Sequence, residues 1–291
     1  VEPFADTVAD ALDVEVVSLA RLGGGDVARS YRVLLADGRT VFAKCHDDPP
    51  PGFFVTEAAG LSWLRDCPDV HVPEVLAVSD GSDALLVLEW IDESPRAVST
   101  AAGEAAFGQA LAGLHRTGAP SFGRQDRRPT GSRSLPNDPC ATWAEFFATR
   151  RLEPLCRMAR DSGALDADVV ADIERIAASL DQVAAADEPP ARLHGDLWAG
   201  NRLVDRDGSS WLIDPAAHGG HREFDIAMMH LFGGFSPEVV DAYHDAFPLA
   251  DGWRDRIPLH QLAPLTVHAV KFGGGYRDAT RRAVAQAVRL I

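Results

Sequence analysis

The hydrophobic periodicity of this chain changes once, near residue 92, and that change limits the architectures open to it. Before it, short alternating or β-branched runs dominate, at residues 14–19, 30–35, 40–45, 75–78 and 85–90. Period two is what a strand with one buried face requires. Asp37-Gly38 separates the second run from the third, where a hairpin turn needs residues tolerant of positive φ. Pro49-Pro50-Pro51-Gly52 then breaks the chain, and Ala58, Leu61 and Leu64 recur at helical spacing over residues 54–65. Beyond Asp92 the spacing is helical: residues 104–115, 143–159, 167–185, 224–232, 237–246 and 259 onward. A polar loop at 118–139 and a short hairpin, 203–205 with 211–213 around Asp207-Gly208, interrupt it. Strands first and helices after predict an α+β chain. Residues 1–92 should form a five-stranded antiparallel sheet with one main helix, and residues 93–291 a mostly helical second part.

Composition narrows the partners. The 291 residues carry a formal charge of −15, which opposes nucleic-acid binding, because phosphate contacts need clustered Lys and Arg. The four cysteines show no close Cys-x-x-Cys spacing, so no metal or redox motif is expected and a cytoplasmic location is. Residues 1–6 are acidic and do not read as a signal peptide. The most apolar run, 84–90, is far too short to span a bilayer, so no membrane partner is expected.

The residues that point to chemistry are His194-Gly195-Asp196-Leu197-Trp198-Ala199-Gly200-Asn201, followed by Leu212-Ile213-Asp214. Asp196 and Asn201 stand five residues apart, and Asp214 follows beyond the hairpin. Phosphoryl transfer asks little covalent chemistry of a protein. It asks for a carboxylate to orient the attacking hydroxyl and hard oxygen ligands to hold Mg2+ on the phosphates. An Asp, an Asn and a second Asp on loops joined by a hairpin could supply these groups. The bland alternative is a turn cap and a strand end.

This pattern resembles the catalytic loop and metal-binding Asp of protein-kinase-like folds, His-Arg-Asp-x-x-x-x-Asn and Asp-Phe-Gly. Gly195 stands where the Arg would be, and Asp214-Pro215-Ala216 replaces Asp-Phe-Gly. Both departures resemble the aminoglycoside-phosphotransferase-like branch. Within it, His-Gly-Asp-Leu-Trp-x-Gly-Asn with Asp-Pro-Ala is similar to the fructosamine/ketosamine-3-kinase family. The resemblance implies a two-lobed protein-kinase-like fold, ATP and Mg2+ as cofactors, and a small-molecule ketosamine or glycated amine as substrate. The acceptor would be the sugar 3-hydroxyl of a fructosyl- or ribulosyl-amine, whose phosphorylation makes the adduct fall apart.

Residue by residue, the resemblance makes Asp196 the catalytic base or orienter and Asn201 and Asp214 the metal ligands. Lys44, ending Val41-Phe42-Ala43-Lys44, would reach the phosphates, and Glu57, thirteen residues on, would hold it extended. Gly23, Gly24 and Gly25 match the family's nucleotide loop, although nothing here is a Walker motif. The backbone groups of Glu89 and Ile91 stand where a hinge would bind the adenine edge. Trp198, two residues past Asp196, offers an aromatic face for a sugar or a cationic amine, or else packs the loop. His194 and Asp225 read as structural, Asp225 as a helix cap bonding back to the loop. His218 and His221 read as a substrate-side loop. The rival acceptors are an aminoglycoside, choline or methylthioribose, and the rival class is a non-catalytic pseudokinase.

Overall fold

The structure, a computed structural model, describes residues 3–23, 28–81, 83–94, 100–131 and 133–291. The chain forms two compact units, one of residues 1–100 with 202–215 and one of residues 101–201 with 216–291.

The first unit is built on a five-stranded antiparallel sheet in the order β1-β2-β3-β5-β4. Its strands are β1 Val16–Arg21, β2 Arg29–Leu35, β3 Thr40–Cys45, β4 Val75–Ser79 and β5 Leu85–Glu89. The expected β2–β3 hairpin pairs Leu34 with Thr40 around Asp37-Gly38. Gly38 takes φ 86°, and the Asp37 carboxylate accepts the Arg39 N–H at 3.0 Å. β3 alternates over its first four residues, burying Val41 and Ala43, and ends with Lys44 and Cys45 both buried. Helix α2, Phe53–Arg65, buries Phe54, Leu61 and Leu64 and packs beside β4 and β5.

A second helix, α1 Pro3–Leu12, was not legible beside the strand signal. Phe4, Val8 and Leu12 recur every four residues and join Val33, Val41 and Val87 in one apolar cluster. The acidic residues between them mask that stripe. The hairpin β7 Arg202–Val204 and β8 Ser210–Leu212 completes this unit. The Leu212 N–H donates to the His71 carbonyl at 2.9 Å, and the Ser94 N–H to the Val204 carbonyl at 3.1 Å.

The second unit is helical around a separate core. Helix α3 runs Ala101–Thr117. The single helix expected over 143–159 is present but changes winding: α4 Trp143–Phe147 passes through a π-wound turn, Ala148–Leu152, into α5 Glu153–Ser162. Pro154 lacks an N–H and its ring crowds the carbonyl four residues back, so the widened turn falls just before it. Helix α6, Ala167–Ala177, stops short of the expected 185. A two-stranded pair, β6 Ala191–Leu193 with β9 His218–Gly220, is too short for any periodicity to reveal. Helices α7 Glu223–Phe232 and α8 Pro237–Ala246 lie where the spacing put them. The terminal helical stretch divides into α9 Trp253–His260, α10 Leu262–Phe272 and α11 Gly275–Ala287, the last break falling at Gly273-Gly274. Among the described residues, no helix is long and apolar enough to cross a membrane.

Candidate active site

In the first unit the structure gathers Lys44, Glu57 and Asp214. Lys44 is the penultimate residue of β3 and lies in its buried run, Glu57 lies in the second turn of α2, and Asp214 follows β8. The Lys44 ammonium sits 2.6 Å from a Glu57 carboxylate oxygen and donates to Asp214 Oδ1 at 2.8 Å. Burial alone would lower the Lys44 pKa, but the two carboxylates outweigh it and raise it, so the amine stays an ammonium. Asp214 has φ 51°, a left-handed conformation a non-glycine residue takes only when its surroundings impose it. Its side chain is half exposed, whereas those of Lys44 and Glu57 are nearly covered.

The nucleotide-loop residues are only partly described. Gly23 is exposed just past β1 with open space around it, while Gly24 and Gly25 lie outside the described residues. At the expected hinge, the Glu89 N–H is committed to the Glu74 carbonyl at 2.9 Å, and the Ile91 carbonyl accepts the Glu93 N–H at 2.9 Å. The groups a hinge role requires are therefore the Glu89 carbonyl and the Ile91 N–H.

In the second unit the loop after β6 carries Asp196, Trp198 and Asn201. Asp225 suspends it: the buried carboxylate accepts the His194 N–H at 2.7 Å and the Gly195 N–H at 2.9 Å. Burial would raise the Asp225 pKa, but hydrogen bonds from His115 and Gly195 and the fields of His115 and His194 reverse that and lower it. Because a carboxylate only accepts, His115 Nε2–H donates to Asp225 at 3.2 Å, and its Nδ1 meets the Tyr243 hydroxyl at 2.8 Å. Gly195, at φ 81°, lies so close to the Ala216 carbonyl that a Cβ would collide with it. Asp225 is thus a strap on the loop, but it is not the expected helix cap, since α7 has already begun at Glu223.

Past Asp196 the chain makes one tight turn, Ala199–Asn201. The Asn201 side-chain NH2 donates to the Asp196 carbonyl at 2.9 Å and to Asp196 Oδ2 at 3.2 Å, which fixes the carboxylate and the amide relative to each other. His194 is fully buried, and its Nδ1 accepts the Asp196 N–H at 3.2 Å. The Trp198 indole lies on Gly200 so tightly that any Cβ there would strike the ring. Trp198 nonetheless stays 39% exposed. The spacing Trp-x-Gly carried this information, a signal the sequence alone did not explain.

His218 and His221 are not a substrate-side loop. His218 lies in buried β9 and His221 directly after it. Burial, with Arg151 nearby, pushes His218 down to about 3, and burial with His260 pushes His221 down to about 4, so both are neutral imidazoles. His221, Glu223 and His260 could geometrically hold a metal ion. However, His221 donates through Nε2 to the Ala185 carbonyl and accepts the Glu223 N–H on Nδ1. Glu223 is gripped twice by Arg256, at 2.8 and 2.6 Å. Both His221 ring nitrogens are thus engaged, and with Arg256 on Glu223 and His260 Nε2 3.4 Å from the same carboxylate the cluster reads as a buried ion-pair network.

A family model described as fructosamine kinase matches residues 5–289. A protein of Enterococcus faecium named as a ketoamine kinase is 37% identical over 258 residues, covering 87% of this chain and 89% of the relative. A Thermus thermophilus protein of the same name is 34% identical over 284 residues, covering 98% and 99%. A solved structure from Thermobifida fusca, named as a fructosamine-3-kinase, shares 43% identity, covers 99% of both chains and has a TM-score of 0.89. An aminoglycoside phosphotransferase, at 14% identity and TM-score 0.64, and the choline kinase of Streptococcus pneumoniae, at 15% and 0.65, share the fold. That fold is the protein-kinase-like α+β fold the motifs implied.

Proposed function

The chain belongs to the fructosamine kinase family of ATP-dependent phosphotransferases, and on that premise we propose that it phosphorylates a sugar hydroxyl of a ketosamine, a fructosyl- or ribulosyl-amine. The observation that carries the proposal is the coupling of Asp196 to Asn201 on a loop strapped by Asp225, with the Trp198 indole two residues on. Asp196 orients the acceptor hydroxyl and takes its proton as the oxygen attacks the γ-phosphorus. Trp198 offers an aromatic face to the sugar and to the cationic secondary amine beside it. Lys44, kept charged by Glu57, holds the phosphates.

The donor set fits Mg2+. Both candidate ligands are hard oxygens. With the nitrogen end of the Asn201 amide turned to Asp196, its Oδ1 is the ligating end, and Asp214 presents a half-exposed carboxylate. The ion supplies charge neutralisation on the transferred phosphoryl group. Each candidate ligand is held within its own unit, Asn201 by Asp196 and Asp214 by Lys44. The four cysteines, free and buried, fit a reducing cytoplasm.

Once the ketone enolises toward the amine-bearing carbon, phosphate leaves the neighbouring carbon with the bonding pair, and water hydrolyses the resulting imine to a dicarbonyl sugar and the free amine, which makes deglycation the proposed role. Lys44, Asp196, Asn201 and Asp214 all stand, which disfavours a pseudokinase. The test is mass spectrometry of fructosyl-lysine and ribulosyl-lysine incubated with enzyme, ATP and Mg2+. A phosphorylated adduct that decays to free lysine is expected. Turnover of an aminoglycoside or choline with neither ketosamine modified would replace this proposal with its rival.

A further inference from the structure

Trp198 begins a row of rings that the phosphoryl-transfer chemistry does not use. Its indole meets Phe232, the last residue of α7, edge to face at 6.1 Å. Phe232 lies 5.3 Å from His268 on α10, and His268 lies 5.6 Å from Phe272 and 4.9 Å from Tyr276. His268, Phe272 and Tyr276 recur every four residues, so the spacing that builds a helix face continues into α11. Among the described residues, the exposed large aromatic side chains are Trp198 at 39%, Phe232 at 41% and Phe272 at 50%, and all belong to this row. Exposed rings in one contiguous strip mark a binding surface. His268 donates through Nδ1 to the Pro264 carbonyl at 2.7 Å, which fixes the ring within the strip.

Resting on the ketosamine reading above, we propose that this row binds the carrier of the glycated amine and makes the enzyme prefer a glycated lysine flanked by an aromatic residue. The occupant follows from continuity: the row starts at the residue assigned to the sugar and its amine, so what lies beyond Trp198 is whatever the amine is attached to. A free amino acid ends within reach of Trp198, whereas a peptide carries on along the strip. Planar side chains gain most there, because ring pairs prefer offset and edge-on contacts and the Phe232 and Phe272 rings stay exposed, with the Lys271 ammonium 4.8 Å from the centre of the latter.

The test compares kcat/KM for Gly-Lys-Phe and Gly-Lys-Gly peptides fructosylated on the lysine, in the native chain and in Phe272→Ala and Phe232→Ala. The native chain should favour the Phe peptide by about 3- to 10-fold. The preference should lie in KM and should shrink toward about one in either variant. Equal efficiency on both peptides in the native chain overturns the proposal and leaves ketosamine kinase activity standing. So does a preference untouched by both substitutions; if the native chain proves to be a dimer that Phe272→Ala dissociates at an unchanged ratio, the row belongs to a second copy of the chain. If neither peptide nor free fructosyl-lysine is phosphorylated, the function and this inference fall together. Should a variant fail to fold, the native ratio still decides.

Discussion

The Gly195 N–H is held 2.9 Å from the buried Asp225 carboxylate, with the neighbouring His194 N–H bound to the same group at 2.7 Å. These bonds fix the loop that carries Asp196 through its backbone, so the position of Asp196, the proposed base, depends on a carboxylate some thirty places along the chain. Asp225→Asn turns one acceptor into a donor facing an N–H. A charge-assisted bond of this kind contributes about 1.5–3 kcal/mol, so a loss near 2 kcal/mol is expected in urea denaturation. kcat should fall about 10- to 100-fold through the displaced base, with little change in KM for ATP. Native kcat in Asp225→Asn would contradict the strap.

Lys44 sits between two carboxylates, and its removal and theirs should differ. Glu57→Ala leaves the buried ammonium with Asp214 alone. Breaking a buried pair costs about 3–5 kcal/mol, and the lower end is expected because Asp214 remains. KM for ATP should rise by about tenfold, since a Lys44 drawn wholly to Asp214 is no longer held toward phosphate. Unchanged stability and unchanged KM would show that Glu57 does not position the lysine.

Gly200 is sterically reserved for the Trp198 indole. Gly200→Ala should swing the ring away and raise KM for the acceptor by about tenfold while leaving KM for ATP close to native. Intrinsic fluorescence should report the changed indole environment. A rise in KM for ATP alone would place Trp198 elsewhere in the chemistry.

Buried neutral histidines give the chain a defined acid limit. His218 falls from the usual 6.5 to about 3 and His221 to about 4, both through burial first. The unfolded chain binds protons that the folded chain refuses, so their contribution is complete above pH 6.5 and is lost as pH falls toward 4 and then 3. At about 1.4 kcal/mol per pKa unit, the losses approach roughly 5 and 3 kcal/mol. Glu223, whose burial opposes but whose Arg256 and His260 contacts hold it down at about 2, adds a further loss below pH 4.5. Unfolding free energy measured from pH 7 to 4 should fall steadily, and His221→Gln should flatten the slope. A flat profile would contradict the buried neutral state.

Much of this was legible in the amino-acid order. The sheet, the β2–β3 turn at Asp37-Gly38 and the helices α2, α7 and α8 follow from periodicity and turn chemistry that act over a few residues. Helix α1 escaped because Asp6, Asp10 and Asp13 surround its apolar stripe. The pair β6–β9 escaped because three residues carry no period. At the proposed site, spacing and the family resemblance together singled out Lys44, Glu57, Asp196, Asn201 and Asp214, and the structure pairs Lys44 with Glu57 and Asp214, and Asn201 with Asp196. The chain Asp225–His115–Tyr243 was not, because it joins residues more than a hundred positions apart through side chains that look ordinary alone. The aromatic row was hidden similarly, with Trp198, Phe232 and Phe272 contributed by separate elements.

The most direct test is Mg2+-dependent ADP release with fructosyl-lysine and ribulosyl-lysine, comparing the native chain with Asp196→Asn. Either acceptor should stimulate release in the native chain, and the substitution should cut kcat by about 10²- to 10⁴-fold while ATP still binds. Stimulation that survives Asp196→Asn, or a folded ATP-binding enzyme that neither ketosamine stimulates, would contradict the assignment of Asp196 as the group that readies a ketosamine hydroxyl for phosphoryl transfer.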